Sequence, residues 1–335
     1  MVSSPSPALL PALRIVLALA LAAALPLAGA YPVFLMDVLC FALFAAAFNL
    51  LLGYTGLLSF GHAAFFGGAA YACGVALRDW GWPPEAGLAF GVACAAALGT
   101  LVGALGIRRK GIYFAMITLA LAQMVYFVFL QAPFTHGEDG LQEIPRGRLF
   151  GLLSLANDLT LYYVVLAIVG AAWLFIGRIV DSPFGQVMLA IRDNEARAIS
   201  LGYATDRGKL LAFVLSASLA GLAGALKTLV LGFASLSDAH WTMSGLVILM
   251  VLVGGVGTRL GPLVGALVVV GLEHKIGEIG AVLANFTGIS WFSGLGEAVT
   301  MVTGLIFIVC VMAFRRGIVG ECMDWWRRRR GGLAV

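Results

Sequence analysis

The chain has 335 residues, 61% of them hydrophobic and only 11% charged, with a mean hydropathy of +1.00 and a formal net charge of +4. Soluble proteins carry about 25% charged residues, so this composition excludes a soluble globular domain and points to an all-α, polytopic membrane helical bundle. The small positive charge is no argument for nucleic acid, because the basic residues sit beside apolar spans and set topology.

The first residues, 1–14, form a short Pro-rich tail ending in Arg14, expected in the cytoplasm. Residues 15–30 then run apolar and are read as a retained first helix; a cleaved signal peptide with a small-residue exit is the alternative. Residues 33–52 make a second span, with Asp37 near its start and Asn49 near its end. Residues 53–77 are dense in Gly and Ala and carry Ser59 and His62, which suits a helix packed inside the bundle and entered through a broken segment. Spans at 86–107 and 111–131 flank the basic cluster Arg108, Arg109 and Lys110.

The connection 132–158 carries four acids against two arginines and is placed outside the membrane. A span at 159–177 leads into the longest polar interruption, 178–209, which holds five basic and four acidic residues and has to leave the bilayer. Further spans follow at 210–233, 242–257, 261–277 and 294–314, and a basic tail, 315–335, closes the chain. With basic clusters placed inside, about ten spans satisfy every loop and leave both termini cytoplasmic.

Within 178–209, Ser182 and Pro183 supply a helix start and Gly202 a stop. On a helical wheel Phe184, Val187, Met188, Ile191, Ala198 and Ile199 share an arc of about 120°, with Glu195 inside it. Asp193 and Arg197 lie on the other side as an i,i+4 pair. One short amphipathic helix outside the membrane is therefore expected, resting on lipid, on its own chain or on another protein.

Ser59 and His62 stand three apart, but no third group orients the histidine, so a nucleophile is not indicated. There is no GxxxxGK[ST] phosphate loop, and the GGVGTRLG run at 254–261 is better explained as a tight turn between packed helices. The chain is thus expected to be no enzyme. The five cysteines imply no disulfide framework, no residue spacing resembles a metal site, and no cofactor is expected. Polar residues inside apolar spans are the candidates for a substrate path: Asn49, Ser59, His62, Thr118 and Gln123, each of which also suits helix-to-helix hydrogen bonding.

Several stretches together resemble the LivM family of permeases from branched-chain amino acid ABC transporters. They are NLLLGYTGLLSFGHAAFF at 49–66, YFAMITLALAQMV at 113–125, HGEDGL at 136–141, SPFGQVMLAIRDNEARAISLGY at 182–203, KLLAFVLSASLAGLAGAL at 209–226, LMVLVGGVGTRLGPLVGA at 249–266 and FRRGIVG at 314–320. Leu57 stands where the family commonly has Gln, and the segment Thr135 to Gly140 departs from the usual TGGxDG, which leaves the substrate open.

The resemblance implies an ABC importer permease fold in a bacterial inner membrane. It implies a homologous, LivH-like second permease, two cytoplasmic ATPase subunits that hydrolyse the ATP, and a periplasmic binding protein that confers specificity. Residues 184–202 match the family's cytoplasmic coupling segment, which makes Phe184, Val187, Met188, Ile191, Arg192, Glu195, Arg197 and Ile199 the expected ATPase-coupling helix, with Glu195 expected to meet a basic group on the ATPase. Branched-chain or related amino acids are the implied cargo. Urea or a short amide carried by a related importer, and an ion-driven secondary transporter acting alone, remain the alternatives.

Overall fold

The computed structural model describes residues 31–287 in one run, with only the backbone described for 276–287, and outside that run residues 23–26, 29, 304–305, 308, 312 and 317–322. The expected spans 15–30 and 294–314 and both tails lie outside the continuously described residues.

The described run is a helical bundle. Its first helix, α1 (Pro32–Thr55), starts with Pro in the first turn and ends at Gly56, whose φ of 75° turns the Gly56 and Leu57 N–H groups back onto the Leu52 and Leu51 carbonyls, respectively. α1 is apolar on all sides, and 94% of its membrane-length window is buried, against 22% for α4 (Ile112–Gln131). α1 is therefore the centre of the bundle and α4 its rim. Between α1 and α2 (His62–Arg78) the chain is non-helical over 56–61, so of the expected segment 53–77 residues 53–55 finish α1, 56–61 form the break and the rest belongs to α2. The left-handed Gly56 closes one helix before the next begins.

α3 (Pro84–Gly106) pairs with α2, and after α4 comes the connection 132–158. That connection contains two single 3₁₀ turns and a small antiparallel hairpin, β1 (Arg148–Leu149) with β2 (Leu153–Ser154). Arg146 fastens it, with Nη1 2.6 Å from Asp158 Oδ1 and Nη2 donating to the Val230 carbonyl at 2.8 Å. α5 (Asp158–Asp181) then runs to the other end of the bundle and is followed after Ser182 by α6 (Pro183–Ser200). The helices on either side extend into the expected 178–209 loop, leaving Ser182, α6 and 201–204 outside them.

α7 (Thr205–Leu231) packs against α1, α2 and α3. Small residues allow this: a methyl placed on Gly224 would fall on the Phe66 carbonyl, and one on Gly221 would fall on Ala95. α8 (Trp241–Gly254) and α9 (Gly261–Thr287) complete the described bundle against α1. Among the described residues five helices, α1, α3, α4, α5 and α7, are long and apolar enough to cross a membrane, which makes the chain a multi-pass membrane bundle.

Candidate functional site

α6 lies at the end of the bundle opposite the 132–158 connection. Ser182 caps it, its side chain accepting from Gly185 N–H at 3.3 Å. Met188, Ile191 and Ala198 are buried, and Phe184 and Val187 are half-buried. The expected single rod is in fact broken at Asn194, whose backbone is extended (φ −160°, ψ 97°) and whose Oδ1 accepts from Arg197 N–H at 3.0 Å, capping a second short segment. Asn in a helix interior competes for backbone donors in this way. The break resets the wheel: Ala198 stays inward while Ile199 turns out, 53% exposed. It also cancels the expected Asp193–Arg197 pair. Asp193 instead lies 3.2 Å from Arg192, and Arg197 is exposed.

Arg192 reaches back into the bundle, its Nη1 donating to the Gly53 carbonyl at 2.6 Å at the C-terminal end of α1, where the helix dipole favours a cation. A methyl on Gly56 would meet the Arg192 side chain at 2.9 Å, a second reason for glycine there. The same place receives the turn between α8 and α9. Asn49 accepts from Gly257 N–H at 2.8 Å through Oδ1 and donates to the Thr258 carbonyl at 3.0 Å through Nδ2.

Glu195 pairs inside the chain, so no basic group from elsewhere is needed to account for its charge. One carboxylate oxygen meets Lys209 of α7, and the other lies 2.9 Å from Lys110, just before α4. Burial pushes the Glu195 carboxyl up, yet hydrogen bonds and charge from Lys209 and Lys110 together hold it below the ordinary carboxylate value. The Lys209 side chain is 3% exposed, so Glu195 supplies its counter-charge.

The remaining candidates form a seam around the start of α2. That helix begins inside the bundle, where no water satisfies its first N–H groups. Thr118 Oγ1 accepts from Phe60 N–H at 3.2 Å, Ser59 Oγ from Gly61 N–H at 3.1 Å and Ser244 Oγ from Ala63 N–H at 2.8 Å. His62 Nε2 lies 2.8 Å from Ser216 Oγ, whose own proton goes to the Ala47 carbonyl at 2.6 Å. Nε2 therefore carries the hydrogen and donates, and Nδ1 is left as a buried acceptor without a partner. Ser59 and His62 are not bonded to each other, and Gln123 sits half-buried on α4 away from these bonds.

Over residues 31–314 the chain matches the family model described as branched-chain amino acid transport system / permease component. The chain belongs to this family. The LivM permease protein of the high-affinity branched-chain amino acid transport system of Escherichia coli (strain K12) is 31% identical over 250 residues, 66% of this chain and 58% of that protein. The LivM protein of Salmonella typhimurium is 30% identical over the same length. The autoinducer 2 import system permease LsrC of Klebsiella pneumoniae is 30% identical over 186 residues, 51% of this chain and 50% of that protein. The aligned part thus spans 58% of the LivM relatives it matches. No solved structure matches the chain with significance.

In this permease-family chain the sequence reading missed Lys110, Lys209, Ser216 and Ser244. The serines carry a usable signal, being polar residues in apolar helices like Asn49 and Thr118. The lysines carry none, because which cation meets Glu195 depends on how three distant segments come together. Among the described residues no group of three or more His, Cys, Asp or Glu could hold a metal ion.

Proposed function

We propose that this chain is a permease subunit of an ATP-driven importer for branched-chain or related amino acids, in a bacterial inner membrane. It is served by a homologous, LivH-like permease, two cytoplasmic ATPases that carry all the catalysis, and a periplasmic binding protein. In this reading the domain 15–314 forms the membrane unit, with 178–209 and both tails in the cytoplasm and 132–158 in the periplasm.

The observation that carries the reading is the double attachment of α6. A surface helix joined through Arg192 to the end of α1 and through Glu195 to α7 passes a push from an ATPase to two central helices at once. Phe184, Val187, Met188 and Ile191 hold the first segment to the bundle. Arg197 and Ile199 on the second segment face outward to the ATPase. Along the first segment an open groove of about 490 Å³, lined by Asp181, Pro183, Gln186, Val187, Ala190 and Tyr203, leaves room for a partner's side chains. Asn49, Ser59, His62, Thr118 and Gln123 border the substrate path, contributed by α1, the start of α2 and α4.

The test is uptake of labelled leucine into proteoliposomes holding this chain, with and without its co-expressed partners. Uptake that requires the ATPases and ATP is expected. Uptake by this chain alone under an ion gradient would contradict the proposal and favour a secondary transporter.

A further inference from the structure

At the end of the bundle away from α6 lies a group of charged side chains that the coupling role does not use. Lys227, near the end of α7, pairs with Asp238 in the short turn after it, 2.6 Å from Nζ to Oδ1, and both side chains are largely buried. The Lys227 ammonium also sits 5.1 Å from the centre of the Phe41 ring and 5.7 Å from that of Phe66.

Two buried polar atoms flank this pair without hydrogen-bond partners. One is Asp37 Oδ1 on α1, on a residue 8% exposed; the other is the Tyr71 hydroxyl on α2, on a residue 1% exposed. Asp37 is within electrostatic reach of Lys227, His274 and Asp238, and Tyr71 is within reach of Asp238. His274 Nδ1 lies 3.0 Å from the Val270 carbonyl of its own helix, and Glu273 lies beside it. Leaving two such atoms unpaired in a bilayer is costly, so their retention calls for a partner that arrives.

We infer that this cluster is a station for the charged end of a free amino acid, with the Lys227–Asp238 pair as its closed form. The inference rests on the amino-acid reading above and specifies how the permease itself recognises that cargo. A zwitterion matches the set group for group. Its carboxylate takes the Lys227 ammonium and the Tyr71 hydroxyl as donors, and its ammonium takes Asp238 and Asp37 as acceptors. The exchange replaces one buried ion pair by two and satisfies both unpartnered atoms, so no charge is left bare. The rings of Phe41, Phe44 and Phe66, packed together at 4.5 to 6.1 Å, offer an apolar surface to the cargo's side chain. No bond is made or broken; the step is binding.

The assembled importer, reconstituted with its binding protein and assayed for labelled leucine uptake, tests this with Tyr71→Phe, Asp37→Asn and the exchange Lys227→Asp with Asp238→Lys. Tyr71→Phe is the sharpest, since it removes one oxygen that bonds to nothing in the closed form. A merely structural hydroxyl predicts unchanged uptake, whereas the station predicts uptake lowered about tenfold or more with thermal stability unchanged or raised. Asp37→Asn is expected to show the same loss. The charge exchange keeps an ion pair and is expected to assemble yet fail to transport. Wild-type uptake by all three would overturn the station alone. Absence of leucine uptake by the wild-type importer would instead remove the amino-acid reading on which it stands.

Discussion

Glu195 and Lys209 show how much one side chain can govern here. With Lys209 almost fully buried, Glu195→Gln leaves a cation without its counter-charge, a change that costs about 3–5 kcal/mol for buried pairs. A clear fall in the thermal unfolding temperature of the detergent-solubilised chain is expected, and adding Lys209→Met should restore most of it, because removing both charges strands neither. The folded carboxyl is held below its ordinary value, so the sign is set: the pair's contribution is full at neutral pH and fades as pH falls through the ordinary carboxylate value to the lowered one. Unfolding scans from pH 7 downward should show wild type converging on Glu195→Gln, and parallel curves would refute the pair's role. At the start of α2, Ser216→Ala strands the His62 Nε2–H and should cost about 1–3 kcal/mol, read as a lowered unfolding temperature.

At the scale of elements, α6 works as two segments joined at Asn194. Asn194→Ala removes the cap on Arg197 N–H, worth about 1 kcal/mol, and lets one continuous helix form. Ile199 then swings toward the arc shared with Met188 and Ile191. Leucine transported per ATP hydrolysed should fall, because the outward face of the second segment is misdirected, and an unchanged ratio would show that the break plays no part in coupling. Much of this element was legible in advance: its start at Ser182 and Pro183, its apolar arc and its place between two spans all follow from local pattern. The break was not, since the wheel assumes one helix, although Asn194 is the residue type that causes such breaks. At the junction of α1 and α2 the Gly/Ala density pointed to close packing and a broken entry, whereas the position of the break follows from the left-handed turn at Gly56. For the candidate residues, burial of Asn49, Ser59, His62 and Thr118 could be read from polar residues in apolar runs. Their hydrogen-bond partners, Gly257, Gly61, Ser216 and Phe60, could not, because most of these contacts join segments far apart in the chain.

Across the whole molecule, α7 links the two ends. It runs from Lys209, held by Glu195, to Lys227 in the charged cluster, eighteen residues or about 27 Å of helix. Its contact with α2 is too close for any side chain at Gly224, so Gly224→Val should overpack the bundle by about 1–3 kcal/mol and lower the yield of folded chain. Two anchored ends and a tightly packed middle suit α7 to act, in the proposed coupling, as a strut between α6 and the opposite face. Everything in this scheme depends on where the second segment of α6 points. A photo-crosslinking residue placed at Ile199 in the assembled importer tests that most directly. A crosslink to the ATPase subunit whose yield changes with ATP is expected, and a residue reached only by reagents from outside intact cells, with no ATPase adduct, would contradict the coupling role.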